Sequence, residues 1–281
     1  MKKHLVLGVL LFVLSPLVCA QVKGTAVSFS TPDGWNISAV YQPAEAGKKT
    51  AVLLHDIGKS KNEFTTFSGK LADNGFGYLA LDLRGHGQSV NRGSYETFAK
   101  EGVDNDYNKM VRDVEAGVNF LQKKGIADED IVLVGAGMGA NVAAKAASMV
   151  PSIGAIALLT PVTNFRDVLS IPALRVYKGK VFIAAAADDK KTFLEASLLR
   201  NVAFLSSGEG QVVFATAYDQ SGHDLLDRWV TPELIQWLLT PQRPEIKPDV
   251  VLEQTQPDPY SAYEPVAPSA TEDALVPSVL Y

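Results

Sequence analysis

Residues 135–139 read Gly-Ala-Gly-Met-Gly. An apolar run, Ile131-Val132-Leu133-Val134, leads into them, and a stretch of helical composition, Asn141, Val142, Ala143, Ala144 and Ala146, leads out. A Gly-Xaa-Ser-Xaa-Gly segment between a strand and a helix holds a serine hydroxyl on a sharp turn, poised to attack an acyl carbon. Here the central residue is Gly137, so the attacking atom is missing. No other nucleophile obviously replaces it. The sole cysteine, Cys19, lies in the N-terminal segment, Thr160 ends a neighbouring strand, and Ser148 lies in the helix that follows. The histidines beyond that segment are His55, His86 and His223. None pairs with another in a metal-binding helix-face spacing, so neither a metal nor another cofactor is expected.

The elements that must position this turn are legible as apolar runs and amphipathic stretches. Ala26–Phe29 and Ile37–Tyr41, separated by Pro32-Asp33-Gly34, read as an antiparallel pair. Ala51–Leu54, Tyr78–Leu81, Ile131–Val134, Ile153–Leu159, Val181–Ala184 and Val212–Ala215 are unbroken apolar runs, as in parallel strands covered on both faces. Ser60-Lys61-Asn62-Glu63 has capping-box form ahead of Phe64, Phe67 and Leu71. Met110, Val114, Val118 and Leu121 make one helical stripe, and Thr231-Pro232 opens a last helix carrying Leu234, Ile235 and Leu238. Alternation of strand and helix predicts a doubly wound, mostly parallel α/β sheet. The stretch from Pro161 to Lys180 is too short for a large cap; Phe165 and Tyr177 within it could line a cleft or pack in the core.

Five segments, in order, resemble the α/β-hydrolase superfamily, particularly its small capless dienelactone-hydrolase-like and serine-aminopeptidase-like members. They are Leu53-Leu54-His55-Asp56-Ile57-Gly58, Asp82-Leu83-Arg84-Gly85-His86-Gly87-Gln88-Ser89, the turn at 135–139, Ala185-Ala186-Ala187-Asp188, and Ser221-Gly222-His223. The resemblance spans roughly residues 25–240. It implies His223 as general base and Asp188, or its neighbour Asp189, as the acid that orients it. It also implies an oxyanion hole built from the backbone amides of Met138 and of Asp56 or Ile57. Asp56 departs from the pattern, and its anionic side chain would oppose a developing oxyanion if turned inward. His55 and His86 belong to the loop signatures and read as structural.

Glycine at 137 relieves a turn conformation that costs a residue with a side chain about 1–3 kcal/mol. Triad enzymes without their nucleophile fall by roughly six orders of magnitude, keeping about 10³–10⁴ over water. The chain therefore reads as a pseudo-hydrolase that binds a small ester-, acyl- or peptide-like ligand. One alternative is an active ester or amide hydrolase in which a His223–Asp188 dyad activates water. Another is a scaffold acting through its C-terminal tail.

Residues 1–20 read as a signal peptide: Lys2 and Lys3, an apolar stretch from Leu5 to Leu17, then Val18-Cys19-Ala20 before the cleavage point. The expected destination is secreted or periplasmic, with no stable membrane span after cleavage. Residues 21–242 make one domain. Residues 243–281 read as a proline-rich, acidic, disordered tail, available to a protein partner. From Pro241 onward, seven acidic residues against Arg243 and Lys247 equal the formal net charge of −5 for the whole chain. No basic stripe exists to attract nucleic acid.

Overall fold

The computed structural model describes residues 24–218, 222, 224–228 and 230–239. The expected signal peptide, the tail at 243–281 and His223 all lie outside the described residues.

The main sheet has eight strands in the order β1-β2-β4-β3-β5-β6-β9-β10. They are β1 (Thr25–Ser30), β2 (Asn36–Gln42), β3 (Thr50–Leu54), β4 (Gly77–Leu81), β5 (Ile131–Ala136), β6 (Ala155–Leu159), β9 (Lys180–Ala186) and β10 (Val212–Ala217). β1 pairs antiparallel with β2, and β2 with β4; every other pairing is parallel. The unbroken apolar runs have their cause in burial from both sides: every residue of β3, β4, β5 and β6 is buried. A two-stranded ribbon, β7 (Asn164–Phe165) with β8 (Val168–Leu169), and the short helix α5 (Ser170–Val176) fill the connection after β6. No large cap interrupts the sheet there.

Helices cover both faces. α2 (Asp106–Lys109), α3 (Val111–Gln122), α4 (Met138–Met149), α5 and α6 (Lys190–Ser207) supply the apolar cluster on one side. α1 (Thr65–Asp73), α7 (Asp224–Arg228) and α8 (Val230–Leu239) supply the other. Met110, Val114, Val118 and Leu121 are all buried in the first cluster, as their spacing predicts. Tyr177 proves to be core: it is 1% exposed, and its hydroxyl donates to Ile153 O at 3.0 Å.

One expected device takes another form. Ser60 caps a 3-10 turn at Lys61–Phe64, its Oγ accepting from Asn62 N. Glu63 turns its Oε2 to the N–H of Asp56 at 2.8 Å, so the capping box gives way to a tie across the β3 loop.

The loop after β4 is anchored by a buried ion network. Arg84 is fully buried and donates to Asp113 through Nε (2.9 Å) and Nη2 (2.7 Å), and to Asp33 through Nη1 (2.7 Å). Burial opposes the charge of Asp33, but the Arg84 contact overrides it and holds that carboxyl far below the ordinary range. Lys61 similarly pairs with buried Asp82. These ties fix the carboxyl ends of the central strands, where ligands bind in open α/β sheets.

Candidate functional site

Five neighbouring parallel strands, β3, β5, β6, β9 and β10, deliver residues 56, 137, 160, 188 and 222 just past their carboxyl ends. The middle of this row is the turn between β5 and α4. Gly137 has φ 51° and ψ −116°, a conformation that residues with a Cβ adopt only under strain. Its N–H donates to Leu159 O at 3.0 Å, locking the turn onto β6. Gly139 is required by packing instead: a Cβ there would lie 2.0 Å from Leu54 O. The sharp strand-to-helix turn is thus present, with a glycine at its apex.

The volume above Gly137 is occupied. The Asp56 side chain crosses from the β3 loop, and its Oδ1 accepts from Ile57 N at 2.7 Å and from Met138 N at 2.8 Å. A Cβ on Gly137 would fall 2.2 Å from Asp56 Cγ and 2.2 Å from Oδ1. The carboxylate therefore stands where a side chain at position 137 would begin. Two converging N–H groups, one at the start of the twelve-residue helix α4, make a natural seat for an anion. Of the two candidate loop amides, that of Ile57 shares the oxygen with Met138. The amide of Asp56 does not; it donates to Glu63. Asp56 contributes its side chain, which fills the hole its backbone was expected to help build.

Beside this seat, Thr160 follows β6 with φ 53°, and its Oγ1 accepts from Gly222 N at 2.7 Å. A Cβ on Gly222 would be 3.9 Å from Asp56 Oδ2, so Gly222 lies close to the carboxylate. His223, the next residue, lies outside the described residues. On β9's side, Asp188 is exposed at the start of the turn after the strand. Asp189 caps α6, its oxygens accepting from Thr192 N and, at 2.6 Å, from Thr192 Oγ1. Those hydrogen bonds from Thr192 lower its carboxyl below the ordinary value. Asp189 is thereby committed to its helix.

His55 and His86 are buried beneath the loops. His55 Nε2 accepts from Leu83 N at 3.0 Å, so the proton must sit on Nδ1, which lies 2.7 Å from Asp56 O. Burial lowers its pKa to about 4, keeping the ring neutral. His86 lies 2% exposed, with its ring stacked on Tyr95 at 4.1 Å. Among the described residues, no group of His, Cys, Asp and Glu is arranged to hold a metal ion.

Two participants escape sequence reasoning. Glu63 resembles a helix cap, and Thr160 resembles the end of a strand; only the fold shows one holding the Asp56 amide and the other the Gly222 amide.

Residues 45–204, more than half of the 281-residue chain, match the family model described as serine aminopeptidase, S33. The chain belongs to that family. It is therefore a member of the α/β-hydrolase superfamily. It is 33% identical over 99 residues to protein phosphatase methylesterase 1 of Schizosaccharomyces pombe, a match covering 34% of this chain and 27% of that protein. The chain thus spans only about a quarter of that curated relative's length. Among solved structures, an esterase of Pyrococcus furiosus superposes with a TM-score of 0.63 at 17% identity, covering 78% of this chain and 93% of its own. The dienelactone hydrolase of Anabaena variabilis gives 0.61 at 13% identity, covering 77% and 97%. At such identities these two likenesses establish the fold alone.

Proposed function

We propose that this family member is an exported pseudo-hydrolase, which binds a small ester-, acyl- or peptide-like ligand but does not perform acyl transfer at the turn. One observation carries the reading: Asp56 Oδ1 occupies both amides, Ile57 N and Met138 N, directly above side-chain-free Gly137. Nucleophile and oxyanion hole are therefore lost together. Losing a single oxyanion donor costs about 10²–10³ in kcat. Here both are engaged by a fixed negative charge.

The same observation weighs against a His223–Asp188 dyad attacking esters with water. A tetrahedral oxyanion would find no free donor and would form beside a carboxylate. Export rests on the character of residues 1–20, and a protein partner for the tail rests on the composition of residues 243–281.

The test is treatment of purified protein with a fluorophosphonate probe and with an activated acetate ester. The expected result is no covalent adduct and no hydrolysis above a heat-denatured control. Stoichiometric phosphonylation, or ester turnover lost in His223→Ala, would refute the proposal.

A further inference from the structure

Helix α6 carries apolar residues on two opposite sides. Ala196, Leu199 and Ala203 are buried in the cluster beneath it. Leu194, Leu198 and Leu205 stand on the other side, 68%, 47% and 90% exposed. With 3.6 residues per turn, positions 194, 198, 201 and 205 fall within about 60° of one another, roughly opposite the buried trio. Steps of four, three and four residues make the seam by which one helix packs along another, with Asn201 as its single polar member. A helix facing water keeps that side polar, so three leucines in line along it mark a contact surface.

The charges of α6 favour one kind of neighbour. Lys190 and Lys191 occupy its first turn, where the positive end of the helix dipole disfavours cations. The last turn holds no basic residue of its own, and Lys178, ahead of β9, meets only Ser206 O there, at 2.9 Å. A helix laid antiparallel would bring cations to that negative end. A second copy of α6 carries them in its first turn.

We propose that α6 is the interface of a homodimer, two copies packing antiparallel about a two-fold axis through their leucine seams. With the axis level with the middle of the helix, between residues 199 and 200, Leu194 of each copy faces Leu205 of the other, and Leu198 faces Asn201. The same register carries Lys190 to the C-terminal end of the second copy, where Glu209 follows Gly208. The seam is thus complementary to itself in both shape and charge, and the contact closes at two copies. A parallel pair would set Lys190 and Lys191 against their own counterparts, like charge on like. The 18 residues of α6 span about 27 Å. One helix of that length offers less than the standard interface of about 800 Å² per partner, so the dimer dissociates in the micromolar range.

The experiment is sedimentation equilibrium of the full chain over a series from low to high micromolar. The expected result is a reversible monomer–dimer equilibrium. Leu198→Glu and Leu205→Glu should each leave a monomer, and because both positions are exposed their melting should match that of the dilute native protein. Lys190→Glu should weaken the dimer about tenfold, and Glu209→Lys in the same chain should restore most of that loss. Register is read by cross-linking in a Cys19→Ser background. Leu194→Cys and Leu205→Cys proteins should form a disulfide dimer when mixed under mild oxidation, and neither should do so alone. A monomer at every concentration, whether the chain's own tail or nothing covers the leucines, overturns the inference. So does a dimer unmoved by Leu198→Glu and Leu205→Glu, or one in which Leu194→Cys cross-links to itself.

Discussion

Restoring the missing serine alone should not restore a serine hydrolase. A Cβ on residue 137 would sit 2.2 Å from Asp56 Cγ, where carbon atoms need about 3.5–4.0 Å. In Gly137→Ser the carboxylate must retreat by more than an ångström, which breaks the bonds to Ile57 N and Met138 N. Hydrogen bonds to a charged group contribute about 1.5–3 kcal/mol each. A side chain at this φ and ψ adds strain of about 1–3 kcal/mol. The site is half-buried, so water recovers part of the loss, and a net destabilisation of about 3 kcal/mol follows. For a domain of this size that lowers Tm by roughly 6–12 °C. Asp56→Gly removes the obstruction and frees both amides. The assay is a double-mutant cycle over native, Gly137→Ser, Asp56→Gly and the double variant, read by melting temperature and phosphonate labelling. The two changes should couple by at least about 2 kcal/mol, and only the double variant should label. Equal labelling of Gly137→Ser and the double variant, with no loss of Tm in the single, would show that Asp56 yields freely and refute the reasoning.

Three further outcomes follow from the packing. Arg84→Met strands Asp113 as an unpaired buried charge and should cost about 3–5 kcal/mol, checked by urea unfolding. His55 has a pKa of about 4 when folded and 6.5 as its ordinary value, so the unfolded chain binds the extra proton between those limits. Its contribution is fully present above pH 6.5 and is lost as pH falls toward 4, about 3 kcal/mol in all. In His55→Gln this part of the pH dependence should vanish, and an unaltered slope between those values would contradict the assignment. Thr160→Val removes the acceptor for Gly222 N and should speed exchange of that amide while leaving Tm within a few degrees.

Much of this molecule could be read before its structure was known, for identifiable reasons. Strands β3 to β6 announce themselves because burial on both faces demands unbroken apolar runs, and the Met110–Leu121 stripe follows from helical period alone. The turn at Gly137 was legible because its flanking glycines answer a local steric need: a Cβ on Gly135 would lie 2.2 Å from Gly139 O. The destination of Asp56 was not legible. It depends on a contact with Met138, 82 positions away, and on empty space above Gly137 that exists only once β3 and β5 are paired. Glu63 misled for a related reason: Ser-Xaa-Xaa-Glu spacing reports a helix cap only when no stronger donor competes, and the Asp56 N–H does. Local patterns fixed which loops meet. Long-range geometry decided which atom fills the place between them.

The most direct test is a proton–nitrogen correlation spectrum of the isotopically labelled native protein beside Asp56→Ala. Amide protons held by a carboxylate resonate downfield, so the Ile57 and Met138 signals should lie there in the native protein and move upfield together in the variant. Native signals at ordinary positions, unmoved by removal of the carboxylate, would mean that the two amides stand open and that the account of this site is wrong.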